Sequence, residues 1–101
     1  MKQLKSSQRQ YLKGKAHHLK PVVQIGKSGV TDSLISEIDK ALDAHELIKV
    51  RFVESREEKK ELTEEIVERL EAVRVGMVGN IAMLYREHKD PEKRKIVIPE
   101  S

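Results

Sequence analysis

The 101-residue sequence contains no cysteine and no tryptophan, and its aromatic residues are one phenylalanine and two tyrosines. Without cysteine, a disulfide, a thiolate metal site and a thiol nucleophile are all excluded. Because aromatic residues make up only 3% of the chain, stacking of unpaired bases on aromatic rings cannot be the main way of binding a nucleic acid. We expect Phe52 to lie in the core. Tyr85 fits either the core, which we favour, or a stacking surface.

The sequence also lacks the long apolar segments that membranes require. No stretch approaches roughly 18 apolar residues, so we expect no membrane partner. The N-terminus carries lysines with no apolar segment after them, unlike a secretory signal peptide. Together with the missing cysteines, these features predict a cytoplasmic protein.

Acidic residues are absent from the first 30 positions, although they are common afterwards. This segment holds seven basic residues, whereas the other 71 residues hold thirteen basic and seventeen acidic ones; the resulting charges of +7 and −4 sum to the net +3. Such asymmetry is typical of a chain with an anionic partner. The alternative is a solvated face that only aids solubility.

The four histidines occur in patterns that favour no active site. His17 and His18 are adjacent, so on a helix they point about 100° apart and cannot hold one metal ion together. No HExxH motif occurs, and no set of serine, histidine and aspartate can be argued from the sequence. We therefore predict neither an enzyme nor a metal, cofactor or small-molecule substrate.

Residues 7–19 have the pattern of a first helix, with Ser7 and Gln10 as a capping pair and Pro21 as its terminator. An apolar stripe at helical spacing comprises Leu12, Ala16 and Leu19. A second face, which is basic, contains Arg9, Lys13, His17 and Lys20.

A strand at 22–25 leads through a short loop at 26–29 into a second helix at 31–45. Either Thr31 or Asp32 is suited to cap that helix. Its apolar residues recur at i, i+1, i+4, i+7 and i+8, which indicates one buried face.

The next strand, at 47–53, alternates apolar and polar residues and presents Lys49 and Arg51 on its exposed face. The remaining elements are a helix at 57–73, strands at 73–78 and 81–86, and a segment at 88–101 that forms a tail or an edge strand. Gly79-Asn80 suits a type II′ hairpin turn. Alternating helices and strands predict an α/β fold, namely a two-layer sandwich with a mixed four-stranded sheet, in a single domain over 1–101.

The loop Gly26-Lys27-Ser28-Gly29 is the strongest candidate for a binding site. Two glycines spaced by two residues let the backbone approach a ligand closely. The loop opens into a helix N-terminus, whose unpaired amide hydrogens and positive dipole end favour a phosphate. Lys27 adds a positive charge and Ser28 a hydroxyl donor, and GxxG loops of this kind clamp nucleic-acid backbones. The alternative is a tight turn that needs glycine only for its shape.

Gly26-Lys27-Ser28 also resembles the end of a nucleotide-binding P-loop, G-x-x-x-x-G-K-[ST]. That motif requires a glycine five positions before its second glycine, where this chain has Pro21. Residues 22–25 also have the pattern of a strand instead of a long phosphate-wrapping loop. The spacing therefore argues against nucleotide hydrolysis.

Several segments of the chain occur together in one known family. They are Gln24-Ile25-Gly26-Lys27-Ser28-Gly29, His45-Glu46-Leu47-Ile48-Lys49-Val50, Gly79-Asn80 and Leu84-Tyr85-Arg86, with Lys13-Gly14-Lys15-Ala16 and Leu19-Lys20-Pro21 upstream. In these segments the chain resembles the YhbY family, the single-domain prokaryotic form of the CRM domain (chloroplast RNA splicing and ribosome maturation). The resemblance runs from about residue 5 to residue 87.

The resemblance implies a fold similar to the C-terminal domain of bacterial translation initiation factor three. It also implies non-enzymatic RNA binding. Bacterial single-domain members are linked to precursors of the large ribosomal subunit, and plant multi-domain relatives to intron splicing. The implied partner is therefore RNA, in particular ribosomal RNA of the precursor to the large subunit. The predicted RNA-binding residues are Gly26, Lys27, Ser28, Gly29, Arg9, Lys13, Lys20, Lys49, Arg51 and Arg86.

Two other functions fit the sequence. The chain could be a protein-interaction module that docks through the acidic helix at 57–73, or it could bind DNA.

Overall fold

The computed structural model describes residues 4–54 and 56–99, and the helices and strands there make an α/β fold. In chain order the elements are α1 (Ser6–Ala16), β1 (Val23–Ile25), α2 (Asp32–His45), β2 (Leu47–Phe52), α3 (Lys59–Leu70), β3 (Val73–Val78) and β4 (Ile81–Tyr85). Two 3₁₀ turns, Arg56–Glu58 and Pro91–Lys93, precede α3 and follow β4.

The strands form one mixed four-stranded sheet, as the sequence predicts, and their order in the sheet is β1-β2-β4-β3. β1 and β2 are parallel because α2 crosses over between them, whereas β2, β4 and β3 pair antiparallel. In the hairpin between β3 and β4, Gly79 has a φ of 58° and Asn80 does not have a positive φ. That combination agrees with the predicted type II′ turn.

Helices cover both faces of the sheet. α2 and α3 pack on one face over a cluster that includes Ile38, Val50 and Phe52. α1 packs on the other face, where its Leu12 and Ala16 contact a second cluster. The sheet residues of that second cluster are Leu47, Val75, Met83 and Tyr85. α2 and α3 with the sheet make the two predicted layers, and α1 adds a shorter layer that leaves part of its own face uncovered.

α1 is shorter than the predicted helix and begins with a different cap. It ends at Ala16, and Lys49 of the sheet holds the turn that follows, because its ammonium donates to the carbonyl oxygens of Leu19 (3.0 Å) and His17 (3.4 Å). Leu19 is consequently 40% exposed. At the other end the Lys5 amide donates to Gln8 Oε1 at 2.9 Å, so the prediction of a capping pair two residues later was wrong.

α2 begins as predicted, whereas α3 is shorter than its pattern suggested. The Thr31 hydroxyl accepts from the Leu34 amide at 3.1 Å, so Thr31 caps α2. α3 ends at Leu70 because Glu71 adopts a left-handed conformation with a φ of 54°. Val73 then pairs with Tyr85 in the sheet and does not extend the helix.

The C-terminal segment forms no strand among its described residues, so the edge-strand alternative was wrong. It is held by the side chain of Glu46, which is fully buried. The Glu46 carboxylate accepts from the backbone amides of His88 (2.7 Å), Lys95 (2.6 Å) and Ile96 (3.0 Å). Further along, Gln8 of α1 donates to the Pro99 carbonyl at 2.9 Å. The described residues after β4 are therefore packed against the domain.

Tyr85 lies in the core, as predicted, with 2% of its surface exposed. Burial raises the pKa of its phenol to about 12, and the negative charges of Glu46 and Glu87 add to the shift. Its hydroxyl has no hydrogen-bond partner within the described residues. Tyr85 is therefore a neutral core residue at physiological pH and is not a stacking surface.

Candidate functional site

The Gly26–Gly29 loop follows β1 directly and forms a tight turn whose two glycines are half-buried. The Gly29 amide donates to the Gly26 carbonyl at 3.1 Å, which closes the turn. Gly29 has a φ of 66°, so the turn itself requires glycine there. Gly26 has no such φ, and a Cβ added to it would meet nothing within 4 Å. The shape of the turn therefore explains one glycine of the motif and not the other.

Between the two glycines, Lys27 and Ser28 are exposed. Neither their side chains nor their amides form a hydrogen bond with the described residues. Two acidic residues of the described chain lie nearby. Asp32 in the first turn of α2 is paired with Arg69 of α3 at 3.2 Å, and the exposed Glu54 has an amide that donates at 3.3 Å to the carbonyl of the residue before the loop. The loop thus presents two amide donors, a hydroxyl and an ammonium to solvent.

Lys49 and Arg51 lie on the α1 side of the sheet, because Ile48 and Val50 belong to the opposite cluster. Arg51 pairs in register with Gln24 of β1, two residues before the loop begins. Since β1 and β2 are parallel, their carboxyl ends meet at the same edge of the sheet. Arg51 therefore lies at the edge from which the Gly26–Gly29 loop extends.

A groove of about 290 Å³ runs between α1 and the uncovered part of the sheet. Its basic wall consists of Lys13, His17 and Lys49. Its apolar floor consists of Val78, Ile81 and Met83. Ile81 is the register partner of Arg51, so the groove and the loop edge are continuous along the sheet.

Gly76 is a site-forming residue that the sequence analysis missed. A Cβ at this position would lie 2.6 Å from Lys13 Cε and 3.1 Å from Met83 Cε. Glycine thus lets the Lys13 stem cross β3 closely and bring its ammonium over the groove. The available signal was a glycine inside a strand pattern, which often marks a close approach of another part of the chain.

Arg9 and Lys20 lie farther from this groove than their predicted helical face suggested. Arg9 is exposed on α1 one turn before Lys13. Lys20 lies beyond the end of α1 and lines a different cavity. The predicted face of α1 therefore supplies Arg9, Lys13 and His17 but not Lys20.

Arg86 is engaged within the protein, which contradicts its prediction as a phosphate contact. Its guanidinium pairs with the carboxylates of Asp39 (2.8 Å) and Asp43 (2.9 Å). It also donates to the carbonyl oxygens of Leu70 and Asp39, each at 3.0 Å. With its side chain 17% exposed, Arg86 joins α2 and α3 to the end of β4.

The ion pairs of the described residues leave the basic side of the sheet unneutralised. Their cations are Arg69, Arg74, Arg86 and Arg94. None of these pairs includes Lys13, Lys27, Lys49 or Arg51. Acidic residues of α2 and α3 lie on the opposite face, so the fold separates the charges that the sequence already distributes unevenly.

Within residues 4–54 and 56–99, no group of three or more histidine, aspartate and glutamate side chains is placed to hold a metal ion. None of the helices described there is long and apolar enough to cross a membrane.

An α/β domain with a basic face outside its ion pairs and an exposed GxxG loop has the features typical of small domains that bind polyanions. Comparison with known proteins gives the family. The CRS1 / YhbY (CRM) domain matches residues 4–86, and the chain belongs to this family.

Similar proteins extend over nearly the whole chain. An RNA-binding protein of Haemophilus influenzae is 43% identical, with 98% of each chain covered. A Bacillus subtilis protein named Probable RNA-binding protein YqeI is 41% identical over 95% of this chain and 99% of its own. Among solved structures, that of SAV1595 from Staphylococcus aureus has a TM-score of 0.78 and 35% identity, covering 96% of this chain and 100% of that one.

Proposed function

We propose that this chain binds structured RNA through its basic face. The proposed surface consists of the Gly26–Gly29 loop together with Lys13, His17, Lys49 and Arg51, and Arg9 extends it along α1. The observation that carries the proposal is the exposed pair Lys27-Ser28, whose amides, hydroxyl and ammonium form no hydrogen bond with the described residues and lie at the sheet edge where Arg51 is found.

The chemistry of this surface suits a ribose-phosphate strand. The amides of Lys27 and Ser28 and the Ser28 hydroxyl can donate to phosphate oxygens, and the ammonium of Lys27 supplies charge. Lys13 and Arg51 extend the positive potential over the groove. Lys49 already donates to two carbonyls of the α1 end, so its contribution is partly structural.

The ligand is proposed as RNA because the relatives carry that name and because the family resemblance implies it. The same resemblance favours ribosomal RNA and a non-enzymatic role in assembly of the large subunit. Docking of a protein on α3 gains less support, since two of its exposed carboxylates, Glu64 and Glu65, are already paired with Arg74 and Arg69.

Reversing two charges of the surface tests the proposal. The double variant Lys13→Glu with Lys27→Glu should weaken binding to a structured RNA at least tenfold at low salt, because it replaces two phosphate-facing cations. Filter binding at several salt concentrations gives the affinity, and the salt dependence of the double variant should be shallower than that of the unaltered protein.

A matched control separates the site from the total charge. Lys40→Glu with Lys60→Glu changes the net charge by the same amount, but these exposed residues lie on α2 and α3. This control should bind RNA within about threefold of the unaltered protein, since it retains the contacts on the basic face. Equal losses in the two folded double variants would refute the proposed surface.

A further inference from the structure

We propose that a second cavity, at the edge of the sheet where β1 and β2 begin, receives one unpaired nucleobase of the bound RNA. The proposal rests on the proposed function and adds a ligand class: RNA with an unpaired nucleotide. The cavity has a volume of about 480 Å³, which is ample for a base and its ribose.

The interior of this cavity is apolar and open to solvent. Leu19, Val22, Leu47 and Ile96 are among the residues that line it. Leu19 and Val22 are 40% and 47% exposed and line the same cavity, so together they form an exposed apolar patch. Such patches often mark binding sites. A flat base inserted there would remove both from water.

The rim is cationic. Lys15, Lys20 and Lys95 line the cavity together with His45, and none of the carboxylates among the described residues lines it. An apolar interior with a basic rim fits a ligand that is apolar in its centre and anionic at its edges. A nucleotide has that distribution, with the base flanked by phosphates.

The position of the cavity favours RNA over an acidic protein segment. The turn that follows α1 contributes His17 to the basic groove and Lys20 to this cavity. The Lys49 ammonium fixes that turn through the carbonyls of His17 and Leu19. Along β2 the four steps from Leu47 to Arg51 span about 13 Å at about 3.3 Å per residue, so one strand of RNA can reach both ends.

Occupancy by a base requires that the base leave its helix. The protein should therefore prefer an RNA hairpin with a single unpaired nucleotide over the same hairpin with a fully paired stem, as expected where unstacked bases are recognised.

The test compares Val22→Glu, inside the cavity, with Val97→Glu, whose side chain is 84% exposed and does not line it. Affinities are measured for the bulged and the fully paired hairpin at one salt concentration. Val22→Glu should weaken binding of the bulged RNA at least fivefold and change that of the paired RNA less than twofold. Val97→Glu should change neither by more than twofold. Lys20→Gln, a milder change on the rim, should also weaken binding of the bulged RNA more than binding of the paired RNA.

Equal effects of Val22→Glu on both RNAs would show a general electrostatic effect and overturn the base site. Unchanged affinity for both would also overturn it and leave an acidic protein segment as the occupant that fits. In either case the unaltered protein would still bind RNA through the Gly26–Gly29 loop. Failure of the proposed function is distinct, because the unaltered protein would then bind neither hairpin.

Discussion

Replacement of Glu46 by alanine should lower the free energy of unfolding by about 3 kcal/mol, because three partly buried amides lose a charged, fully buried acceptor at once. Those amides belong to His88, Lys95 and Ile96, so this one carboxylate holds the segment after β4 at two places along the chain. Glu46 also has a φ of 63°, which non-glycine residues rarely adopt and which its surroundings must therefore hold in place. Urea unfolding followed by circular dichroism gives the value.

Two variants make the interpretation specific. Glu46→Gln keeps the shape of the side chain but places an NH₂ group opposite one of the amide donors. It should therefore recover only part of the stability that Glu46→Ala loses. Glu57→Ala removes an exposed carboxylate and should change the free energy of unfolding by less than about 0.5 kcal/mol. A Glu46→Ala protein as stable as Glu57→Ala would show that the C-terminal segment is not anchored in this way.

Replacement of Arg86 by methionine should cost about 2 kcal/mol of stability and leave the RNA affinity of the folded protein unchanged. The guanidinium makes four hydrogen bonds, two to carboxylates and two to carbonyls, in a setting that is mostly shielded from water. Methionine keeps the aliphatic stem but leaves Asp39 and Asp43 facing each other without a cation. Thermal unfolding and filter binding measure the two effects separately.

Arg51 provides the matched comparison. It is exposed and belongs to no ion pair among the described residues, so Arg51→Met should leave stability within about 0.5 kcal/mol and weaken RNA binding. The two arginine variants should thus affect opposite properties. A loss of RNA affinity in folded Arg86→Met, with stability unchanged, would restore Arg86 to the binding surface.

The elements predicted correctly from the sequence are those in which the apolar periodicity and the capping or turn residues indicate the same structure. The stripe through Leu34, Ile38 and Leu42 correctly identified the buried face of α2, and Gly79-Asn80 correctly placed the hairpin. Alternation in β2 correctly placed Lys49 and Arg51 on one side. These features are local, so a single chain suffices to read them.

The features that could not be predicted from the sequence depend on contacts between distant parts of the chain. The turn after α1 is held by Lys49, which lies 30 residues after Leu19 in sequence. Arg86 has the sequence pattern of an exposed strand residue, but in the fold α2 brings two aspartates to it and α3 brings a backbone carbonyl. Glu46 belongs to one of the segments that carry the family resemblance, but its partners lie 42 to 50 residues later in the chain. Periodicity carries no information on such pairings.

The central claim is that RNA contacts the loop and the basic groove and not the acidic helix. The most direct test follows the backbone amides of the ¹⁵N-labelled protein by NMR during titration with a structured RNA at low salt. We expect the largest changes in amide chemical shift at residues 13–17, 26–32 and 49–51. Shifts concentrated on α3, or spread evenly over the surface, would contradict it.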